Sequence, residues 1–226
     1  MTEIVFNADM AKAYDEKGPR LLVPGYQAFL QCIATVLDAE LADDASILVM
    51  GAGGGAELMT LAPVRTGWRF TGVDPSPDML GGAQAKLTQA GYADRAELHV
   101  GYAADAPQGP FDAATSCLLM PFIPDDGSKL DYLRQVRRRL KPGAPLLMVE
   151  GFAARAPEAW ARYLKLYITH GLLRGAPEAH VKMAAGAQAG LHYVPVERQE
   201  ALLKEAGFAC ERFFQALYIH GWIARA

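Results

Sequence analysis

Ile47-Leu-Val-Met-Gly-Ala-Gly-Gly-Gly-Ala-Glu57 is the stretch that decides the fold of this chain. An apolar run stops there on glycines at positions 51, 53, 54 and 55, and a helix-forming segment follows. Residues without Cβ allow a sharp turn and let a ligand lie against bare backbone at a helix N-terminus. The stretch therefore predicts a buried strand that turns into a helix, with a turn between them that either binds a ligand or serves the backbone alone.

A second apolar strand, Trp68-Arg-Phe-Thr-Gly-Val-Asp74, ends in an acidic residue 23 positions after Gly51. In nucleotide-binding βαβ units, an acid about 20 residues after the glycine turn binds ribose hydroxyls. The pair of features is more specific than either alone and favours a ligand-binding turn.

Strands and helices alternate from residue 46 onward. This alternation predicts a parallel sheet with helices on both faces and ligands beyond the carboxyl ends of the strands, where Gly51, Asp74, Gly101 and Ser116 fall. Strands are expected near 46–51, 68–73, 96–101, 111–118 and 144–151, and helices near 55–63, 76–90 and 126–140.

The segments on either side of this core have other patterns. Residues 1–44 have apolar residues at helical spacing, with breaks around Gly18-Pro19-Arg20 and at Pro24-Gly25, and predict a helical cap. Residues 152–196 are less regular and predict a lid on the substrate side, with a helix over 154–170 and an Ala/Gly-rich run over 184–190. A helix over 197–206 and strands over 208–214 and 217–224 complete a single domain, whose core spans 45–151.

Composition limits the classes of protein that this chain can represent. At 226 residues, 51% apolar and 21% charged, it has an ordinary globular composition, and its net charge of -3 argues against a bulk nucleic-acid surface. Neither a secretion signal nor a long apolar membrane run is present in the sequence. Cys32, Cys117 and Cys210 form no CxxC motif and are expected to be buried, reduced thiols of a cytoplasmic protein. A homodimer is one assembly that the sequence leaves open.

Five motifs occur in a characteristic order: Gly51-x-Gly53-x-Gly55, Asp74-Pro-Ser-Pro-Asp-Met79-Leu, Gly101-Tyr-Ala-Ala-Asp105-Ala-Pro107, Phe111-Asp112 and Leu140-Lys-Pro-Gly143. Together they resemble the class I S-adenosylmethionine-dependent methyltransferases over residues 46–150. The resemblance implies an α/β, Rossmann-like fold with a mostly parallel seven-stranded sheet, and S-adenosylmethionine as the cofactor. Tyr14-Asp15 and Val23-Pro-Gly-Tyr26 also resemble the cap of carboxy-S-adenosylmethionine synthase and its methyltransferase relatives.

The resemblance also implies roles for individual residues. Gly51, Ala52, Gly53 and Gly55 would line the methionine part of the cofactor, and Asp74 would accept hydrogen bonds from both ribose hydroxyls. The dinucleotide fingerprint would have its third glycine at position 57, which is Glu57, so the turn suits a methionine tail better than a pyrophosphate. Met79 would pack against the adenine or ribose face, or else belong to the core. The other residues expected at the cofactor are Pro75, Ala103, Ala104, Ser116 and Arg20.

Two positions depart from the family pattern. Related sequences usually carry an acid for the adenine amino group directly after Gly101, where this chain has Tyr102, and Asp105 is a candidate replacement. Many relatives carry histidine at the place of Pro121, and proline can neither transfer a proton nor donate a backbone hydrogen bond. A general base from that strand end is therefore not expected.

Catalysis by a protein of this family can depend on positioning, because the sulfonium of the cofactor is already a strong electrophile. Groups of the cap and the lid are the candidates for orienting an acceptor. The catalytic candidates are Tyr14, Tyr26, Tyr167 and His170, with Tyr163, His180 and Tyr193 as further lid residues.

Three functions remain open from the sequence. The first is methyl transfer to a small-molecule acceptor. The second is chemistry of the cofactor alone, in which its amino group attacks its own side chain to form a small ring such as azetidine-2-carboxylate, with release of methylthioadenosine. The reaction of carboxy-S-adenosylmethionine synthase is a variant of this second function. That family needs an arginine to bind the extra carboxylate, and near the corresponding position this chain has only Lys182.

The third function is RNA modification or non-catalytic binding of the cofactor. Its basic patch would be formed by Arg134, Arg137, Arg138, Arg139 and Lys141. These cations also suit the end of a helix, where they oppose the helix dipole favourably. Asp125 and Asp126 are expected to cap a helix rather than to bind a metal, since no His/Cys ligand spacing accompanies them.

Overall fold

The computed structural model describes residues 18–226, and its centre is a seven-stranded sheet. In chain order, strands β1 to β7 cover Ser46–Met50, Arg69–Asp74, Ala96–Val100, Ala113–Cys117, Pro145–Gly151, Ala209–Ala216 and Ile219–Arg225. The strand order across the sheet is β3-β2-β1-β4-β5-β7-β6. Strands β1 to β5 pair in parallel, while β7 is antiparallel to both β5 and β6. This confirms the expected mostly parallel Rossmann-like sheet closed by a C-terminal hairpin.

Helices flank the sheet and join its parallel strands. Within the described residues, α1 to α8 cover Pro19–Leu22, Tyr26–Glu40, Ala56–Leu61, Pro77–Ala90, Ser128–Arg138, Pro157–Leu173, Glu178–Ala187 and Val196–Glu205. Short 3₁₀ helices occur at Ala93–Arg95, Met120–Phe122 and Gln188–Gly190. The expected helices of the core lie within about two residues of their observed ends, as capping and end fraying allow.

Strand β1 separates two apolar layers, because successive side chains of a strand point to opposite faces. Ile47 and Val49 are completely buried in the layer that contains α2, α3 and α4. Leu48 and Met50 are buried in the layer that contains α5 and α8. Burial on both faces explains why this strand is a continuous apolar run rather than an alternating one.

The lid is more regular than its composition indicates. The Ala/Gly-rich run 184–190 is helical, since it completes α7 and continues as a 3₁₀ turn. Alanine has the highest helix propensity, and α7 buries Val181 and Ala185. Gly171 of α6 permits this packing, because a Cβ there would lie 3.0 Å from Val181 Cγ2.

Two other expectations also need correction. An interruption was expected around residues 18–20, and α1 begins there at Pro19. Proline suits the first turn of a helix, because the backbone amides of that turn have no partner within the helix. Cys210 is exposed on the edge strand β6 rather than buried, while Cys32 and Cys117 are half-buried, and all three are free thiols. No helix within residues 18–226 is long and apolar enough to cross a membrane.

Candidate active site

The glycine turn after β1 is held against the neighbouring strand by its own backbone. The amides of Gly51 and Ala52 both donate to the carbonyl of Val73, at 2.9 and 3.0 Å. Gly51 has φ +67°, and a Cβ there would lie 2.5 Å from Leu119 Cδ1. Only glycine adopts this conformation without strain, so the turn packs closely against the loop that follows β4.

Asp74 ends β2 and links the glycine turn to the next helix. Its Oδ2 accepts the amide of Gly53 at 3.0 Å, and its Oδ1 accepts the amide of Ser76 at 2.9 Å. Burial raises the pKa of Asp74, and these two backbone hydrogen bonds oppose the rise. Each carboxylate oxygen keeps a further lone pair, so the group can accept two hydroxyl hydrogens from a ligand.

Helix α4 begins beside Asp74 and places Met79 over the glycine turn. Ser76 caps the helix, and its hydroxyl accepts the amide of Met79 at 3.2 Å. Met79 is buried, and its Cε lies 3.2 Å from the position that a Cβ on Gly53 would occupy. The turn, the acid and the methionine therefore form one wall.

That wall faces a cavity of about 1790 Å³ beyond the carboxyl ends of β1, β2 and β4. Most of the residues expected at the cofactor or in the cap line it: Arg20, Tyr26, Gly51, Ala52, Gly53, Gly55, Asp74, Pro75, Met79, Ala103 and Ala104. Residues that are far apart in the sequence, from Arg20 to Ala104, thus meet at one cavity. This is expected in a parallel sheet, because the carboxyl ends of its strands lie at the same edge. Tyr14, which was also expected there, lies outside the described residues.

Ser116 does not join this set. It is completely buried, and its hydroxyl is 2.7 Å from the phenol oxygen of Tyr132. Its neighbour Cys117, whose side chain points to the other face of the sheet, is the residue of β4 that lines the cavity. Tyr132 lines the cavity as well, so Ser116 lies one hydrogen bond behind the cavity wall.

Tyr167 and His170 of the lid also lie away from the residues that line the cavity. Tyr167 is buried in an aromatic cluster, with ring centroids 6.1 Å from Tyr163 and 6.3 Å from Tyr218. The phenols of Tyr163 and Tyr193 both donate to Gln188 Oε1, at 2.9 and 2.5 Å. Burial raises the pKa of these tyrosines, so they are neutral hydroxyls that hold the lid together.

The loop on the adenine side is tied to α5 by Arg139. This arginine is 3% exposed, and its guanidinium donates to the carbonyls of Ala104 and Ala106 at 3.0 and 2.9 Å. Asp105 accepts the amide of Tyr102 at 3.0 Å within the same loop and is not among the cavity-lining residues. It therefore folds the loop, and the exposed Tyr102 borders the cavity in its place.

Arg139 is also one of the five cations considered for a nucleic-acid surface. Two others have partners inside the protein, since Arg137 donates to the carbonyl of Gly207 at 3.0 Å and Lys141 pairs with Asp112 at 2.5 Å. Three of the five cations are thus used by the fold. These three cations secure the end of α5, while Arg134 and Arg138 are exposed.

A buried Glu–Lys network supports the loop after β4. Leu118 has φ +57°, an uncommon conformation for leucine, and its amide donates to the carbonyl of Val149 at 2.8 Å. The next amide, that of Leu119, donates to Glu150 Oε1 at 3.2 Å, and the ammonium of Lys129 donates to the carbonyl of Met120. Burial raises the pKa of Glu150 and lowers that of Lys129. The network holds Leu118 and Leu119 in place at the cavity wall.

Glu57 is a second buried acid that the sequence did not identify as functional. It lies in the first turn of α3, lines the cavity and is 6% exposed. Burial raises its pKa to about 7, opposed by hydrogen bonds from its own amide and the Cys117 thiol. The signal in the sequence was an acid at the place of the third fingerprint glycine, directly after the turn.

His192 is the other residue that sequence analysis missed. It lies after α7, is exposed, and is one of the residues that line the cavity, as Phe122 and Asp126 also are. Its amide donates to the carbonyl of Pro121 at 2.7 Å, which fastens the lid to the loop after β4. An imidazole from the lid thus borders the place where a histidine of the loop is absent.

The paired acids before α5 have structural partners. Both oxygens of Asp125 accept from Arg198 at 3.0 Å, and Asp126 Oδ1 accepts the amide of Ser128 at 3.1 Å. Asp126 thus caps the first turn of the helix, and Asp125 ties it to α8. Within residues 18–226, no three His, Cys, Asp or Glu side chains come together to hold a metal ion.

Comparison with known proteins agrees with this geometry. Residues 48–146 match a family described as a methyltransferase domain. The chain is 26% identical over 218 residues to carboxy-S-adenosyl-L-methionine synthase of Desulfotalea psychrophila, across 93% of this chain and 86% of that protein. It is 34% identical over 119 residues to demethylmenaquinone methyltransferase of Lactiplantibacillus plantarum, across 51% of this chain and 49% of that protein.

A solved structure has the same fold along nearly the whole chain. The crystal structure of a SAM-dependent methyltransferase from Aquifex aeolicus superposes with a TM-score of 0.66 at 16% identity, and the match covers 97% of this chain and 98% of that one. The residues at the cavity fit S-adenosylmethionine, because the glycine turn leaves room for a methionine tail and Asp74 keeps lone pairs for two ribose hydroxyls. Residues 48–146 of this chain are therefore similar to a methyltransferase domain, and the chain shares its fold with a SAM-dependent methyltransferase.

Proposed function

We propose that this enzyme transfers the methyl group of S-adenosylmethionine to a small-molecule acceptor. The observation that carries the proposal is the size and position of the cavity. Its volume of about 1790 Å³ exceeds the roughly 300–1,000 Å³ of a typical small-molecule pocket, so a second small molecule has room beside the cofactor. Both relatives also have names that specify small molecules as product or acceptor.

The acceptor would bind between the cap and the lid. Tyr26 of α2, Phe122 and Ile123 of the loop after β4, and Leu191 beside His192 form a largely apolar wall there. Apolar pockets with a few polar groups orient small ligands and exclude water. This wall favours an acceptor with an apolar body and one nucleophilic oxygen, nitrogen or carbon.

The cofactor supplies a methyl group on a positively charged sulfur, which needs little further activation. The main tasks of the protein are to hold the nucleophile in line and to keep water out. His192 accepts the proton that an oxygen or nitrogen nucleophile loses, a role that Pro121 cannot fill. The amide of His192 on the Pro121 carbonyl holds the imidazole beside the wall where the acceptor would lie.

Incubation with S-adenosylmethionine tests the proposal when products are identified by mass spectrometry. With cofactor alone we expect no turnover, and with fractions of a metabolite extract we expect one methylated product and S-adenosylhomocysteine. Accumulation of methylthioadenosine from cofactor alone would instead establish ring closure within the cofactor and refute transfer to an acceptor.

The acceptor identified in this way allows a test of His192. We expect His192→Gln to lower kcat by about 100-fold for an oxygen or nitrogen acceptor, because the proton loses its acceptor. His170→Gln is the matched control, since His170 is on the same lid but outside the cavity, and it should keep wild-type kcat. Equal rates for both variants would contradict the role of His192 and leave methyl transfer itself intact.

A further inference from the structure

Glu57 has a role that methyl transfer by itself does not explain. Glu57 lies at the cavity wall and is 6% exposed, and no donor within residues 18–226 satisfies its buried Oε1. A buried acceptor without a partner costs about 1–3 kcal/mol, and an unpaired buried charge costs more. The arrangement is therefore unfavourable for the empty protein and becomes favourable when a ligand supplies a donor.

The groups that surround Glu57 do not include a cation. The Asp74 carboxylate faces it from β2 and the Cys117 thiol from β4. The Tyr132 phenol on α5 and the buried Glu150 on β5 also interact with it. Two of these four neighbours are carboxyls. The amide of Glu57 and the Cys117 thiol donate hydrogen bonds to the Glu57 carboxylate, but none of the groups named here carries a positive charge.

We propose that Glu57 binds the α-ammonium group of the methionine part of the cofactor. Glu57 follows Gly55 by two residues, at the end of the glycine turn where the methionine tail is expected to lie, and the inference rests on that placement of the cofactor. An ammonium group has three N–H donors, and one of them would satisfy Oε1. Its positive charge would also compensate the negative charge of the carboxylate. A ligand cation thus converts a destabilising carboxylate into a specific contact.

This pairing couples cofactor binding to the release of a proton. The pKa of Glu57 in the empty site is about 7, so near pH 6.5 a large share of the molecules carry a protonated carboxyl. A bound ammonium group favours the carboxylate and lowers that pKa. Affinity should therefore rise from pH 6 to pH 8, and binding near pH 6.5 should release about three quarters of a proton per site.

Titration calorimetry with S-adenosylhomocysteine tests the proposal without turnover. Measurements at pH 6.5 in two buffers of different ionisation enthalpy give the number of protons released. From Glu57 we expect the release of about three quarters of a proton in the wild type and of none in Glu57→Gln, with affinity at pH 8 about 30-fold weaker in the variant. Glu97→Gln is the matched control, because Glu97 is a 76% exposed acid of β3, and it should behave as wild type.

Two other ligands identify the group that Glu57 contacts. Methylthioadenosine lacks the ammonium group, so Glu57→Gln should bind it with wild-type affinity, which also shows that the variant folds. S-adenosylmethionine carries both the ammonium and the sulfonium, and a loss of affinity confined to it would assign Glu57 to the sulfonium and overturn the proposal. Wild-type affinity of Glu57→Gln for every ligand would likewise overturn it. Failure of the wild type to bind any of them would refute the placement of the cofactor instead.

Discussion

Two regions beside the cavity, the cofactor end and the lid end, are built in different ways. The cofactor end, which lines the cavity, uses backbone amides, glycine conformations and one carboxylate, all at the ends of adjacent parallel strands. The lid end, whose aromatic cluster does not line the cavity, uses side chains from separate segments, such as Tyr163 and Tyr193, which donate to the amide oxygen of Gln188. Changes at the first end should therefore alter cofactor affinity, whereas changes at the second should alter the stability of the lid.

The largest expected effect is the loss of cofactor affinity in Asp74→Ala. Two charge-assisted hydrogen bonds to ribose hydroxyls would disappear, which corresponds to about 3 kcal/mol or more than 100-fold in Kd. Calorimetry with S-adenosylhomocysteine measures this loss. Asp78→Ala, which removes an exposed acid four residues along the chain, is the control and should retain wild-type affinity. Unchanged affinity in Asp74→Ala would remove the ribose contact from the cofactor end.

The next effect is the destabilisation expected for Gly55→Ala. Gly55 has φ +84°, and a Cβ there would lie 3.2 Å from the Cα of Ala83, which cannot move without α4. We expect the free energy of unfolding to fall by about 2.5 kcal/mol. In the control Gly81→Ala, on the same helix, a Cβ meets nothing within 4 Å, and stability should rise by about 0.5–1 kcal/mol. Similar urea midpoints for the two variants would show that the turn tolerates a side chain.

Glu150→Gln should reduce the pH dependence of stability. Burial raises the folded-state pKa of Glu150 from its ordinary 4.5 to about 8. The protonated carboxyl therefore contributes fully to the free energy of unfolding below about pH 4.5, and this contribution is lost as pH rises through 8. Glutamine remains neutral and still accepts the amide of Leu119. Urea unfolding at pH 6 and pH 8 should show a decrease in stability that is smaller by about 2 kcal/mol in the variant. A decrease equal to that of the wild type would mean that Glu150 is already ionised at pH 6.

The smallest effect is expected at the lid. Gln188→Leu leaves two tyrosine hydroxyls without their acceptor, and we expect a loss of stability of about 1.5 kcal/mol. The Kd for S-adenosylhomocysteine should change by less than about twofold, because the aromatic cluster does not line the cavity. Gln84→Leu on the exposed face of α4 is the control and should change neither quantity. A large loss of cofactor affinity in Gln188→Leu would end the distinction between the two ends.

The outcome of the sequence analysis follows the same division. The strands, the glycine turn and Asp74 were predicted, because local periodicity and glycine chemistry determine them over a few residues. Ser116 was predicted beside the cofactor, whereas the structure places Cys117 among the residues that line the cavity and Ser116 behind Tyr132. Which of two neighbouring strand residues lines a cavity depends on partners far along the chain when both faces of the strand are buried.

The candidates of the lid depended on the same long-range packing. Tyr167 and His170 were chosen for their chemistry, but α6 turns Tyr167 into the aromatic cluster. His192 reaches the cavity because its amide bonds to Pro121, a contact across 71 positions of sequence. A side chain's chemistry can be read from its identity, whereas its direction depends on which helix packs beneath it.

The sequence by itself determined the order of strands and helices in the core, the glycine turn and the acid that ends β2, and its motifs resemble a family whose cofactor is S-adenosylmethionine. The core strands and the turn depend on interactions between near neighbours, namely continuous apolar runs, positive φ angles and an acid at a strand end. Tertiary structure alone decided that Glu57 is buried without a partner, that Arg139 holds the adenine-side loop and that His192 faces the cavity. Burial and hydrogen bonding of those groups arise only when distant segments pack together, because desolvation and partner geometry are properties of the assembled layers.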